Sequence, residues 1–259
     1  MRTALVRRPS PRLAEGVVDH IERVPVDPDR AVAQWEEYVA ALRAAGWDVV
    51  EVPAAPEHPD SVFVEDTVVL FRGTAVVARP GHPTRRGEER ATEAVLREMG
   101  AGVVHLEEPA TLDGGDVLKV GDTVYVGRSD RTNAAAVAQL RTLLEPHGAT
   151  VVAVPVTTVL HLKTAVTALP DGTVIGYEPV VDAPRLFPRF LPVPEEHGTA
   201  VVDLGEGRLL MSASAPRTAD LLAGLGWTPV PVDISEYEKL EGCVTCLSVR
   251  VRELPGATA

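Results

Sequence analysis

The sequence predicts an α/β fold in which one supersecondary unit, ββαβ, occurs five times and closes into a ring. Three observations carry this. Val-rich hairpins, amphipathic helices and short strands follow one another in a fixed order, with a period of roughly 40–50 residues. The strands come as paired hairpins, where an open sheet would alternate one helix with one parallel strand. The two ends of the chain are also fragments of the same unit. An open, mixed α/β sheet is the competing architecture.

From the N-terminus, "RTALVRRP" predicts a strand, "DRAVAQWEEYVAALRAAG" a helix and "WDVVEVP" a second strand. The strand this unit lacks is supplied by "CVTCLSVRVRE" at the other end of the chain. Residues 9–28, "PSPRLAEGVVDHIERVPVDP", form the one long irregular stretch, and a loop of that length in a compact domain is often a lid. "EDTVVLFRGTAVVARP" then predicts a hairpin across Arg-Gly. In the following segment Ala91, Val95, Leu96 and Met99 fall on one helical face, closed by Gly100. "AGVVHLEEP" ends this copy as a strand. The next copy is the hairpin "GDVLKVGDTVYVGRS", the helix "RTNAAAVAQLRTLLEPHG" and the strand "ATVVAVPV". A weaker copy runs from "KTAVTALPDGTVIGYEP" to "RFLPVP", its helix eroded by prolines. The last is "TAVVDLGEGRLLMSASA", "PRTADLLAGLGW" and "TPVPVD". No Pro/Ser-rich linker or charge run interrupts the series, so residues 1–259 are expected to form one domain.

Composition narrows the class. The chain has 259 residues, 45% of them hydrophobic and only 4% aromatic, so the core must be built mainly from Val, Leu and Ala. Two cysteines exclude a disulfide framework and favour a reducing compartment. No signal-peptide-like stretch or run of eighteen apolar residues occurs, and the expectation is a cytoplasmic protein without a membrane partner. A net charge of −12 argues against a nucleic-acid partner and suits a cationic small molecule.

Both cysteines lie in "GCVTCLSVR", residues 242–250. A zinc site needs four ligands, and a thioredoxin-like pair opens a helix. Here Val244, Thr245, Leu247, Val249 and Val251 predict a strand, on which positions three apart face opposite ways. Cys243 and Cys246 should then diverge. Each is either a small buried hydrophobe or a nucleophile needing a base and a group to orient it. Among seven histidines, His161 in "VLHLKTAVTAL" begins an apolar strand where a repeat starts, as a hydrogen-bonded core residue or as that base. Two acidic clusters stand at strand entrances: Asp60, Glu65 and Asp66 around Phe63, and Asp113 and Asp116 around Gly-Gly. Either could form ordinary turns. The first, flanked by apolar residues, would repel itself unless a cation or hydrogen-bond donors sit among the acids.

"DSVFVEDTVV", "RPGHPTRRGE", "LDGGDV", "RTN", "LHLKT" and "EGCVTCLSVR" occur in this order over residues 60–250. Together they resemble the dimethylarginine dimethylaminohydrolases, of the guanidino-group-modifying superfamily called penteins. The resemblance implies a five-fold pseudosymmetric α/β propeller of ββαβ units, the same ring that the repeats predict. It also implies Cys246 as nucleophile, His161 as general acid/base and Asp113 as the acid orienting that histidine. Asp60, Glu65 and Asp66, with the ring of Phe63, would surround the guanidinium. Arg85, or its neighbour Arg86, and Arg131 would hold the amino acid's carboxylate, and Val17 would lie in the 9–28 lid. The implied activity is hydrolysis of Nω-methylated L-arginine to citrulline and dimethylamine or methylamine, without metal or organic cofactor, by a monomer or homodimer. Alternatives are an arginine deiminase-type hydrolase, an amidinotransferase, an amino-acid-binding protein without chemistry, or a redox-sensing thiol protein using Cys243 and Cys246, which the divergence expected on a strand opposes.

Overall fold

A computed structural model describes residues 2–252 and places five three-stranded sheets in a ring. The first sheet joins both ends of the chain. Its strands β1 (Thr3–Val6) and β2 (Asp48–Glu51) run parallel, with helix α1 (Pro28–Ala44) between them in sequence. β3 (Val68–Phe71), β4 (Thr74–Val77), α2 (Glu89–Glu98) and β5 (Gly102–His105) make the next unit. β6 (Val117–Val120), β7 (Thr123–Arg128), α3 (Ala134–Leu144) and β8 (Thr150–Pro155) repeat it. A four-residue helix α4 (Leu162–Ala165) leads into β9 (Val166–Ala168), β10 (Val174–Gly176) and β11 (Phe190–Pro192). In this unit two short 3-10 turns replace the long helix, as its prolines predict. β12 (Val201–Gly205), β13 (Arg208–Ser212), α5 (Pro216–Gly224) and β14 (Thr228–Val232) form the fourth unit contiguous in sequence, with its helix intact. After the short helix α6 (Ser235–Glu238), β15 (Val249–Val251) pairs antiparallel with β1 and closes the ring.

Every sheet has one register rule: the first strand antiparallel to the second, the second parallel to the third. The first strands β3, β6, β9, β12 and β15 line a central channel of about 610 Å³. The helices pack outside. Leu96 of α2 is buried against β3–β5, with Ala91, Val95 and, just past the helix, Met99 packed half-buried beside it, as their spacing predicts.

Helix α1 is built to hold the cysteine segment. Asp27 caps it, accepting from the backbone N–H groups of Asp29 and Arg30, with Pro28 at the first helical position. Its buried stripe of Ala31, Trp35, Tyr38, Val39 and Leu42 packs on Val244 and Leu247. Truncating Leu42 to alanine there would cost about 2–5 kcal/mol. Tyr38 Oη donates to the carbonyl of Val244 at 2.9 Å and bonds Ser248 Oγ at 2.7 Å, so the contact between helix and turn is direct.

The predicted strand over "CVTCLSVRVRE" needs correction. Only Val249–Val251 is strand; residues 244–247 form a turn, and Glu253 lies outside the described residues. Val244 and Leu247 are both fully buried, a three-residue spacing that a strand could not send to one side. His161 likewise precedes the short helix α4, and its strand begins only at Val166. Among the described residues no helix is long and apolar enough to cross a membrane.

Candidate active site

The residues singled out by sequence gather at one end of the channel, where each unit enters its first strand. The 3-10 turn Val64–Thr67 precedes β3, the 3-10 turn Gly114–Asp116 precedes β6, α4 precedes β9, and the cysteine turn precedes β15. These entrances deliver Asp66, Asp113, His161 and Cys246 to a common point. A small cavity of about 20 Å³ remains there, lined by Val17, Asp60, Phe63, Asp66, Arg85, Arg131, His161 and Cys246 among others. That volume holds about one water molecule.

His161 is 3% exposed. Its Nε2 bonds Asp113 Oδ2 at 3.1 Å, while Nδ1 lies 3.8 Å from Asp66 Oδ1, beyond hydrogen-bond distance and so with its N–H uncommitted. Burial opposes charge on this ring. The charge of Asp66, the hydrogen bond to Asp113 and the charge of Asp116 outweigh it, raising the imidazole to about 9. His161 is therefore an imidazolium at neutral pH. Asp113 is itself fixed by the N–H of Gly81, at 3.0 Å from Oδ1. Asp66 accepts from the Gly115 N–H at 2.8 Å. Only glycine fits at 115, because a Cβ there would lie 2.5 Å from His161 Nδ1 and 2.7 Å from Asp66 Oδ1.

Arg85 is buried with every nitrogen engaged. It donates to Asp66 at 2.7 Å, to Glu88 at 2.8 Å, and to the carbonyls of Asp60 and Phe63. Arg86 is exposed and turned to the carbonyl of Pro80, so Arg85 is the one at the cavity. Burial works against its charge, but Glu88, Asp66, Asp113 and Asp60 keep it protonated well above the usual range. Burial works against the ionised form of Asp66 too, yet His161 and Arg85 hold that carboxyl down at about 2. Asp66, Asp113 and His161 place possible ligand atoms within 4.8 Å of one another. In this structure Asp66 is paired with Arg85 and Asp113 is bonded to His161.

Glu65 requires a correction. Expected beside the guanidinium, it points instead into the channel and pairs with Lys163 at 2.7 Å and with Arg250. Successive residues of a 3-10 turn project about 120° apart, so Glu65 and Asp66 cannot share a face. Through Arg250, which donates to the carbonyls of Thr245 and Ser248, Glu65 braces the cysteine turn from behind.

Cys246 is 5% exposed and its Sγ lies 3.2 Å from Cys243 Sγ, contrary to the divergence expected on a strand. The contact with Cys243, then burial, then the negative charges of Glu65 and Asp66 raise the Cys246 thiol well above its ordinary value. In the free protein it is a thiol.

Segment 9–28 lies across the cavity. The N–H of Val17 reaches both Asp60 oxygens at 3.2 Å, and Glu241 accepts from the N–H groups of Asp19 and His20. The Asp19 carboxylate sits on Arg131 at 2.5 Å. Sequence reasoning assigned no role to Asp19, Glu88, Lys163, Arg250 or Glu241. It noticed Asp116 without placing it: this buried acid accepts from Leu162 N at 2.9 Å and fixes the residue after His161.

Five ββαβ units around a buried Cys–His–Asp set, with carboxylates and arginines at its mouth, define the pentein class of guanidino-modifying α/β propellers. Residues 22–169 match the family model described as N,N dimethylarginine dimethylhydrolase, eukaryotic. The chain is 65% identical over 253 residues to the N(G),N(G)-dimethylarginine dimethylaminohydrolase of Streptomyces coelicolor, covering 98% of each. A dimethylarginine dimethylaminohydrolase His-to-Gly variant, solved as an adduct with S-methyl-L-thiocitrulline, superposes with TM-score 0.91 at 33% identity, covering 97% of this chain and 100% of that one. A Cys-to-Ser mutant of the Pseudomonas aeruginosa enzyme, complexed with citrulline, does so at 0.89 and 33%, covering 96% and 98%. The chain belongs to the dimethylarginine dimethylaminohydrolase family.

Proposed function

We propose that this protein hydrolyses an Nω-methylated L-arginine to L-citrulline and the corresponding methylamine, through a covalent intermediate on Cys246. The convergence of Cys246, the His161–Asp113 pair and the Asp60/Asp66 carboxylates on one cavity carries this reading. A guanidinium offers planar N–H donors, which carboxylates accept. Its positive charge, with the His161 imidazolium, works against the Cys243 contact, the burial and the nearby carboxylates that keep Cys246 protonated; the thiol proton passes to solvent and the thiolate remains. The thiolate attacks the guanidino carbon, and the C–N bond to the methylated nitrogen breaks as His161 gives that nitrogen a proton. The resulting thiouronium is hydrolysed when neutral His161 takes a proton from water, releasing citrulline and restoring the thiol. Asp113 holds the ring throughout. A chain with only two cysteines, and so no disulfide framework, suits a reducing, cytoplasmic setting.

Arg131 is the better-placed partner for the substrate's carboxylate, since Arg85 is already saturated by Asp66 and Glu88. Agmatine, which lacks the carboxylate, should then be a very poor substrate. A hydrogen bond to a charged group contributes about 1.5–3 kcal/mol, so its loss lowers kcat/KM by about tenfold to more than a hundredfold. The deciding assay compares asymmetric dimethylarginine, monomethylarginine, arginine and agmatine for citrulline or carbamoyl product. Comparable kcat/KM for agmatine would remove Arg131 from this role, and no citrulline from either methylated arginine would refute the function itself.

Residues 9–28 act as a lid, because a cavity of about 20 Å³ cannot admit an amino acid until they move. Asp19 would have to leave Arg131 as the substrate's carboxylate arrives. Asp19→Asn should therefore lower KM for the amino-acid substrate and leave that for agmatine unchanged. Asp19 is half-exposed, so the gain is at most about 1 kcal/mol, or roughly fivefold in KM. A raised KM would mean instead that Asp19 receives the substrate's ammonium group.

A further inference from the structure

Hydrolysis through Cys246 uses one of two thiols. The other, Cys243, stands 3.2 Å from Cys246 Sγ and 3.2 Å from Thr245 Oγ1. Residues 243–246 form a turn closed by the N–H of Cys246 donating to the Cys243 carbonyl at 3.1 Å. Such a turn brings its first and fourth Cα atoms within about 7 Å. A disulfide needs Cα atoms about 4.4–6.8 Å apart and sulfurs about 2.05 Å apart. Small side-chain rotations could thus bridge the pair without displacing β15 or α6.

The two sulfurs differ in access. Cys246 is buried beneath the 9–28 segment. Cys243 is half-buried and lines a neighbouring cavity of about 420 Å³, walled by His20, His197, Glu238 and Lys239 among others and sharing Leu160, Glu241 and Gly242 with the Cys246 cavity. The hydrogen bond from Cys246 lowers the Cys243 thiol against the effect of burial, favouring its reactive thiolate.

We propose that Cys243 is an oxidant-responsive site: hydrogen peroxide entering this second cavity converts Cys243 and Cys246 into an intramolecular disulfide that reversibly removes the nucleophile. The Cys243 thiolate attacks one peroxide oxygen; the O–O bond breaks, an S–O bond forms, and hydroxide leaves to become water. Cys246 then attacks the Cys243 sulfenic sulfur; the S–O bond breaks, the S–S bond forms, and the departing oxygen takes the Cys246 proton as a second water. Two thiols lose two electrons in all, and one peroxide is reduced to two waters. An added dithiol reverses the bridge by exchange. The bridge also keeps Cys246 from reaching the irreversible sulfinic acid. Loss of activity rests on Cys246 being the nucleophile, but the disulfide itself does not.

The test treats the substrate-free protein with graded hydrogen peroxide, blocks remaining thiols with iodoacetamide and digests with trypsin. Both cysteines fall on the peptide between Lys239 and Arg250. The expected peptide is unalkylated and lighter by two hydrogens, and activity falls in step with its abundance and returns with dithiothreitol. Cys243→Ser, and Cys243→Ala should serine disturb the turn, are each read against their own untreated activity. They should yield no bridged peptide and lose activity irreversibly, with added oxygens on Cys246. Wild-type protein inactivated with oxygens on Cys246 and no bridged peptide would overturn the proposal, as would two alkylated cysteines at an inactivating dose. A bridged peptide with activity intact would sustain the disulfide and refute Cys246 as the nucleophile.

Discussion

Cys246→Ser is expected to abolish turnover while leaving substrate binding in place. The reason lies in the protonation state of the site. His161 is held charged to about pH 9, so in the resting protein it is no base for a hydroxyl. A thiol can ionise when a guanidinium cation and an imidazolium surround it; a serine hydroxyl, far less acidic, cannot. Removing the nucleophile from a covalent catalytic set has cost on the order of 10⁶-fold in kcat. The carboxylates and Arg131 that would bind the substrate are untouched. Steady-state rates with calorimetric binding of substrate to the variant separate the two effects. A trapped adduct mapped by mass spectrometry should sit on Cys246, and an adduct on Cys243 would overturn the assignment.

The sequence makes the ring legible because each unit carries its own punctuation. The turns at Arg72-Gly73, Gly121-Asp122, Asp171-Gly172 and Glu206-Gly207 fall between paired Val/Leu runs, and both termini hold the fragments of one further unit. Which residues line the cavity was largely legible too, through the family motifs and, for Asp60, Asp66, Asp113 and His161, through their places at or just before strand entrances. Orientation was not. Glu65 and Asp66 are neighbours in sequence, and only the 3-10 turn shows that one faces the cavity and the other the channel. Arg85 and Arg86 differ for the same kind of reason. The cysteine segment misled through composition: β-branched residues favour strands, but the burial of Val244 and Leu247 beneath α1 overrides that preference. Gly242 adds a further constraint, since a Cβ there would press into the Phe63 ring. Asp19 and Glu241 act through contacts more than a hundred residues away, which no local pattern encodes.

His161→Ala should stall the reaction rather than prevent its first encounter. The ring has two duties, protonating the departing amine and then deprotonating water. Its raised pKa suits the first: the donor form dominates at neutral pH and is lost as pH rises through about 9. Wild-type kcat/KM, which reports the free enzyme, should therefore fall on that alkaline side, and the variant should lack this limb of the profile. Loss of a general acid–base group costs about 10²–10⁴-fold, and kcat should drop by at least that. If attack by Cys246 still occurs slowly, the thiouronium should accumulate, because its hydrolysis has lost its base. Intact mass of the variant after incubation with substrate would then show the covalent adduct, and peptide mapping would place it on Cys246. Asp113→Asn should do less harm, since it weakens the hold on Nε2 but keeps the imidazole and the charge of Asp66 beside it. A His161→Ala protein turning over within a few-fold of wild type would assign the proton transfers to another group.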